Sequence, residues 1–264
     1  MDKMERPPSD QELRRRINEL IAYKGGGSNP DLVADIVENA LKLLTDVESR
    51  GDVRVIQTTV RELRYAFRLF APHAKVRKVT MFGSARLQPS RKEYQEAVTF
   101  ARRIADQGWM VITGAGPGIM QAGHEGAGPE RSFGANIRLP WEQSANPVIQ
   151  HDKKLITFKY FFTRKLTFVR HSDAIVLFPG GFGTMDELFE ALTLIQTRKI
   201  RNFPVVLFGS QYWQGLLQWI TSTMLHEKYI NPEDLSLIHL TDSPRDAVDF
   251  IISTCYAGVD SKKS

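Results

Sequence analysis

The segment from Ile175 to Arg198 limits the possible folds of this chain more than any other. It opens with the apolar run Ile175–Phe178, stops at Pro179, crosses three glycines and resumes helical spacing at Thr184. This order predicts a short buried strand, a glycine turn and a helix. The first N–H groups of such a helix lack intrahelical partners, and glycines let an anion come close to them. We therefore expect a phosphate group to bind at the turn.

Acidic residues near the start of that helix allow a second interpretation. Asp186, Glu187 and Glu190 would repel a phosphate that lay directly against them. Thr184 and Glu187 also have the spacing of a capping box, in which two side chains satisfy helix N–H groups without any ligand. If a ligand binds, its phosphate should lie on the glycines and its electron-poor part beside Glu187. Both interpretations stay open at this point.

From Val76 onward the sequence alternates between short apolar runs and stretches with helical spacing. This alternation is typical of an α/β fold, here a Rossmann-like open and mostly parallel sheet with helices on both faces. The predicted strands are Val79–Phe82, Trp109–Thr113, Gly134–Leu139, Ala174–Phe178, Pro204–Phe208 and Leu237–Leu240. The predicted helices of this region are Ser90–Gln107, one that begins near Ile119, Tyr212–Met224 and Ser243–Tyr256.

Three of the predicted strands end in turns that contain Gly83, Gly114 or Gly180. Ligands of open parallel sheets bind beyond the carboxyl ends of the strands, so these turns could converge on one crevice. Each turn alone is a weak signal, since tight packing explains a glycine about as well as ligand binding does. The run GAGPG at 114–118 lacks the G-x-G-x-x-G spacing of a dinucleotide fingerprint, and the sequence has no Walker A motif.

The first part of the chain is predicted to form a helical extension. Helices are expected over Asp10–Tyr23, over Asn29–Glu48 and from Asp52 to just before Pro72, and none of them carries a chemical motif. The predicted domains are therefore 1–74, helical, and 75–264, Rossmann-like. The apolar stripes of these helices require a cover, which is either the main domain or a second subunit.

The segment 155–171 brings an arginine toward the glycine turn. If it is helical from Phe161, then Phe162, Leu166 and Val169 form a core stripe, and Arg164 points to the opposite side. The segment runs directly into the strand that carries the turn, so the guanidinium could reach the same crevice. An ordinary surface arginine is the alternative.

Composition excludes several classes of function. The chain has 35 Lys and Arg against 30 Asp and Glu, without the basic stripe that nucleic-acid binding requires. One cysteine, Cys255, allows no internal disulfide, and the scattered histidines predict no metal site. The sequence lacks a signal-peptide pattern and an apolar run of the roughly 20 residues that span a bilayer. We expect a cytoplasmic protein that binds neither nucleic acid nor membrane.

Four motifs together resemble one known family. PGGFGTMDE at 179–187 fits the pattern PGGxGTxxE, and the pair Arg164-Lys165 precedes it. GSAR at 83–86 and TGAGPGIM at 113–120 extend the match over roughly residues 76–225. The combination resembles the signature of the Lonely Guy (LOG) family of nucleoside 5'-monophosphate phosphoribohydrolases, whose members are often labelled lysine decarboxylases.

The resemblance implies a Rossmann-like homodimer that hydrolyses the N-glycosidic bond of a nucleoside 5'-monophosphate, of the AMP or cytokinin-riboside type, without a cofactor. The products would be the free base and ribose 5-phosphate. By the same resemblance, Arg164 and Glu187 would be the catalytic pair. The phosphate would be held by Gly180, Gly181, Gly183 and Thr184. Further substrate contacts would come from Gly83, Ser84, Gly114, Gly116, Gly118 and Lys165.

Two other functions are alternatives to hydrolysis. A nucleotide or molybdenum-cofactor carrier has a similar glycine architecture, but carriage does not need the pair of Arg164 and Glu187. Lysine decarboxylation requires pyridoxal phosphate on a lysine, and nothing in the sequence resembles such a site. The helical extension and the GAGPG run resemble longer bacterial relatives rather than short plant-type members. This departure favours general nucleotide turnover over a dedicated cytokinin role.

Overall fold

A computed structural model describes residues 9–140, 144–200 and 203–260 of the chain. The chain divides into two compact units, Met1–Val60 and Arg61–Ser264. The domain boundary predicted after residue 74 stays a prediction. None of the described helices is long and apolar enough to cross a membrane.

The first unit is built from helices at the positions that the apolar spacing predicts. They are α1 (Asp10–Tyr23), α2 (Pro30–Asp46) and α3 (Arg50–Phe70), the last of which continues into the second unit. The hydroxyl of Ser9 caps α1 by accepting the N–H of Glu12 at 3.3 Å. Arg14 of α1 pairs with Asp35 of α2 at 2.6 Å. Caps and ion pairs of this kind stabilise short helices whose apolar faces are narrow.

The second unit contains a sheet whose paired strands all run parallel, which confirms the predicted fold class. Its described strands are β1 (Lys78–Phe82), β2 (Met110–Thr113), β3 (Ser132–Ile137), β4 (Leu155–Phe158), β5 (Ala174–Leu177), β6 (Val205–Phe208) and β7 (Ile238–Thr241). Their order is β4-β3-β2-β1-β5-β6-β7. Every residue of β1, β2, β5 and β6 is buried, as expected for parallel strands covered on both faces.

Helices cover both faces of this sheet. They are α4 (Lys92–Asp106), α5 (Ile119–Ala127), α6 (Phe161–His171), α7 (Phe182–Gln196), α8 (Ser210–Trp219), α9 (Pro232–Leu235) and α10 (Pro244–Asp260). One apolar core contains Phe168 of α6, Leu188 of α7 and Trp213 of α8. The other contains Phe100 of α4 and Ile251 of α10. Successive strand residues alternate between the two cores.

The structure differs from the sequence prediction at several elements, and the short helix α9 was not predicted. Strand β4 was missed because only Lys159 and Tyr160 separate it from α6, without a glycine or proline to mark its end. The helix predicted over Tyr212–Met224 changes at Ile220 to a π-helical turn. Helix α7 begins at Phe182, two positions before the predicted Thr184.

The face that α6 buries also differs from the prediction. The expected core residues Phe162 and Leu166 are 51% and 44% exposed, whereas Thr163, Thr167 and Phe168 are buried. The threonines can be buried because their hydroxyls are satisfied; that of Thr167 donates to the carbonyl of Thr163 at 2.8 Å. Apolar periodicity therefore selected the wrong side of this helix.

Candidate active site

The three glycine turns meet at the carboxyl ends of β1, β2 and β5. Ser84, after β1, donates its N–H to the carbonyl of Pro179, after β5, at 2.9 Å. The carbonyl of Ser84 accepts the N–H of Ile119, the first residue of α5, at 3.0 Å. Strand order changes direction between β1 and β5, where open sheets bind ligands. The predicted convergence is thus confirmed.

A cavity of about 610 Å³ opens among these turns. The predicted site residues that line it are Gly83, Ser84, Gly114, Arg164, Gly181, Gly183, Thr184 and Glu187. Asp186, Met120 and the aromatic rings of Phe161 and Phe182 complete much of the wall. Four of the predicted site residues do not line this cavity, namely Gly116, Gly118, Gly180 and Lys165. Their contacts support the residues that do.

Of the three glycines around the start of α7, one is closely packed and two are open. A Cβ on Gly180 would lie 2.0 Å from Oγ1 of Thr184, so only glycine fits against that side chain. A Cβ on Gly181 or Gly183 would meet nothing within 4 Å. Thr184 donates its N–H back to the carbonyl of Gly181 at 3.0 Å. The open backbone of Gly181 and Gly183 at the helix N-terminus suits an anion.

The capping-box interpretation of this helix is wrong. The residue before the first turn of α7 is Gly181, and no side chain caps the helix. Thr184 lies in the first turn, and Glu187 lies too far along the helix to reach back to the N-cap. The carboxylate of Glu187 instead reaches the cavity.

Arg164 lies on α6 with its guanidinium in the cavity. Its Nε donates to the carbonyl of Ala135 in β3 at 2.8 Å, and the group lies 5.2 Å from the ring centre of Phe168. No described residue accepts a hydrogen bond from its terminal nitrogens. Burial lowers the pKa of Arg164 to about 10, while the charge of Glu187 opposes this, so the side chain stays cationic at neutral pH.

Gly114 makes room for that guanidinium. A Cβ on Gly114 would lie 2.2 Å from a terminal nitrogen of Arg164 and 2.7 Å from the sulfur of Met120. The guanidinium of Arg164 therefore requires a glycine at position 114. The sequence alone gave no sign that these two residues are in contact.

Glu187 is the buried carboxylate of the cavity, 9% exposed. Burial raises its pKa, while Lys165 and Arg164 oppose the rise. The ammonium of Lys165 lies 3.3 Å from Glu187, 3.0 Å from Asp186 and 2.6 Å from Glu190. Burial alone would lower the pKa of Lys165, but its hydrogen bond to Glu190 and the neighbouring carboxylates raise it on balance. Lys165, which does not line the cavity, thus favours the ionised form of Glu187.

The GAGPG loop is held in shape by buried polar side chains. Ala115 has a positive φ of 63°, which side chains rarely adopt, and Gly118 has φ 67°. The side-chain amide of Asn146 donates to the carbonyls of Ala115 and Gly116 at 3.1 and 3.0 Å. These bonds fix the unusual loop against the rest of the unit.

His124 extends the same network. Its Nε2 lies 3.0 Å from the hydroxyl of Thr113 and 3.1 Å from the carbonyl of Phe133. Burial lowers the pKa of His124, so the ring is neutral at neutral pH. Sequence reasoning missed both His124 and Asn146. Their side chains act through partners distant in sequence, and no local spacing signals such contacts.

The described residues contain no group of three His, Cys, Asp or Glu side chains placed to hold a metal ion. The cationic residues that line the cavity are Arg86 and Arg164, and the N–H groups at the start of α7 add donors. Both favour an anionic ligand that also has a part able to face the carboxylate of Glu187.

Comparison with known proteins agrees with the motifs. Residues 115–251, a little over half of the chain, match the family model described as "Possible lysine decarboxylase". The chain therefore belongs to this family, the LOG family whose signature the motifs resemble.

Its relatives include two proteins named for nucleotide hydrolysis. A protein of Oryza sativa subsp. japonica named probable cytokinin riboside 5'-monophosphate phosphoribohydrolase is 31% identical over 168 residues, 60% of this chain and 65% of that protein. A protein of Mycobacterium tuberculosis named cytokinin riboside 5'-monophosphate phosphoribohydrolase is 27% identical over 166 residues, 61% of this chain and 86% of that protein.

A solved structure shares the fold. The molybdenum cofactor carrier protein of Chlamydomonas reinhardtii superposes with a TM-score of 0.50 at 20% identity. The match covers 69% of this chain and 99% of the carrier. At this identity the likeness concerns the Rossmann-like architecture.

Proposed function

We propose that this protein hydrolyses the N-glycosidic bond of a nucleoside 5'-monophosphate and releases a free base and ribose 5-phosphate. The substrate would be of the AMP or cytokinin-riboside-monophosphate type. The observation that carries the proposal is one cavity of about 610 Å³ that combines an open glycine turn, an arginine whose terminal nitrogens donate to no described residue, and a buried carboxylate.

In this proposal the 5'-phosphate lies on the turn before α7. Gly181 and Gly183 leave open space beside the backbone, since a Cβ at either position would meet nothing within 4 Å, and the helix dipole favours negative charge there. Gly180 and Thr184 support the turn through their close packing. Arg164 donates its terminal nitrogens to the substrate.

Glu187 is proposed as the carboxylate that stabilises the reacting sugar. Cleavage of the bond between C1' and the base nitrogen builds positive charge on the ribose. Of the three carboxylates around Lys165, the side chain of Asp186 is 59% exposed and that of Glu190 34%, against 10% for Glu187. A charge acts more strongly on a neighbour when water is excluded, which favours Glu187. The same carboxylate can orient or deprotonate the attacking water.

A homodimer is proposed as the assembly. Apolar side chains of α6 and of the start of α7 are exposed, among them Phe161, Phe162, Leu166 and Phe182, the last at 95%. A patch of this kind suits a protein contact. Size-exclusion chromatography with light scattering tests this, with Leu166→Asp expected to give monomers; a monomeric unmodified protein would contradict it.

A substrate panel tests the function. Purified protein is incubated with AMP, isopentenyl-adenosine monophosphate, a pyrimidine monophosphate and adenosine, and free base is measured by chromatography. We expect base from at least one monophosphate and little from adenosine, because the turn would have no phosphate to bind. Tight nucleotide binding without release of base would instead support the carrier function.

A further inference from the structure

A second cavity, of about 330 Å³, lies between the carboxyl-terminal half of α3 and the sheet edge formed by β4. Its cationic residues are Arg61, Arg64, Arg138 and Lys159, all in the second compact unit. No residue lines both this cavity and the one that contains Glu187. The two are therefore separate sites.

The fold brings these cations together from distant parts of the chain. Arg61 and Arg64 lie three residues apart on α3 and so face the same side. Arg138 directly follows β3, and Lys159 directly follows β4. The strands are parallel neighbours, and the N–H of Arg138 donates to the carbonyl of Phe158 at 2.8 Å. The two residues thus stand side by side at one end of the sheet.

The charge of this cavity is not balanced from within. Among the described residues, no carboxylate lies within 4 Å of any of these four cations. Elsewhere cations such as Arg14 and Lys165 contact two or three carboxylates each. Among the described residues that line the cavity, Glu62 is the only acidic one. Four cations and one carboxylate leave a net charge of +3.

The carboxylate of Glu62 is already engaged by neutral donors. It accepts the N–H of Lys159 at 2.7 Å and the hydroxyl of Thr163 at 2.6 Å, and the residue is 8% exposed. These bonds hold the start of α6 against α3. Glu62 is therefore a structural anchor, and its bonds do not pair it with the arginines.

We propose that this cavity binds a small molecule that carries a diphosphate group. The four cations are exposed, so water screens part of their mutual repulsion, and a polyvalent anion bound among them lowers the remainder. Arginine forks bind phosphate oxygens through two parallel hydrogen bonds. A diphosphate carries about three negative charges at neutral pH, which matches the cavity, since the second ionisation of a phosphate has a pKa of about 6. The volume admits a diphosphate with a modest attached group.

Isothermal titration calorimetry of the full chain with inorganic pyrophosphate and, separately, with ADP tests the proposal. The variant is the double change Arg64→Gln and Arg138→Gln, and the control is Arg102→Gln with Arg103→Gln on the exposed side of α4. We expect the first variant to lose one binding event or to weaken it on the order of 10²-fold, since each charged hydrogen bond is lost. The control should bind like the unmodified chain.

Binding of ADP alone would identify an esterified diphosphate as the ligand, and equal binding of both would show that the diphosphate group is sufficient. Identical isotherms for the double variant and the unmodified chain, with equal melting temperatures, would overturn the proposal. A binding event that remains in both the double variant and the unmodified chain belongs to the cavity that contains Glu187. Calorimetry measures binding and not hydrolysis, so this experiment can refute the second site without refuting the proposed hydrolysis, and the reverse.

Discussion

The substitution Gly114→Ala separates the position of Arg164 from the stability of the fold. The new Cβ would lie 2.2 Å from the terminal nitrogen of Arg164, whereas ordinary contacts begin at 3.4 Å. The guanidinium must therefore move by at least about 1.2 Å, the difference between these two distances. It is the far end of a flexible side chain, so the movement costs the fold little. A shift of about 1 Å in a positioned group can cost ~10²-fold in rate.

Steady-state hydrolysis of AMP and a thermal melt measure the two effects. We expect kcat/KM to fall on the order of 10²-fold and the melting temperature to change by a few degrees at most. Gly215→Ala on α8 is the matched control, because its Cβ meets nothing within 4 Å and the residue lies outside the cavity. Gly114→Ala with an unchanged rate would refute the reasoning that Arg164 acts from its present position.

Three further outcomes are expected. Lys165→Met removes the ammonium that opposes the rise in the pKa of Glu187, so this pKa should rise further. The acid limb of the pH–rate profile should then move to higher pH, and an unmoved limb would contradict the charge coupling between Lys165 and Glu187. Asn146→Ala leaves the carbonyls of Ala115 and Gly116 without their buried donors and should cost about 2 kcal/mol in a urea melt; a loss below about 0.5 kcal/mol would refute that role for Asn146. Burial raises the pKa of Glu187 in the folded state, so the folded chain binds the carboxyl proton more tightly than the unfolded chain does. The contribution of Glu187 to stability therefore falls as pH rises through its unfolded-state pKa and then its folded-state pKa. Glu187→Gln should therefore melt no lower than the unmodified chain at pH 8, and a clear decrease would show that Glu187 mainly holds the fold.

The fold was predictable because its signals are local. Buried runs that end in glycines mark β1, β2 and β5, and each of these strands formed where the run lies. Strand β4 has a weak local signal, since no glycine or proline separates it from the helix that follows. Its place depends on pairing with β3, which the sequence of either segment does not encode by itself.

The candidate site was predictable only in part, for a similar reason. The turn residues and Glu187 follow one strand directly, so the motif and the geometry coincide. The predicted orientation of α6 was wrong because Phe162 and Leu166 are apolar yet exposed. The support of Arg164 by the carbonyl of Ala135 joins residues 29 positions apart. Such contacts arise from packing, which periodicity does not predict.

The rate of AMP hydrolysis by Glu187→Gln tests the central claim most directly. Asp186→Asn and Glu190→Gln probe the other carboxylates near Lys165, and Glu130→Gln on the exposed surface is the control. Glu187→Gln is expected to lower the release of adenine by about 10² to 10³-fold, with smaller effects in the other three variants. Full release of adenine by Glu187→Gln, or an equal loss in Asp186→Asn, would contradict this claim.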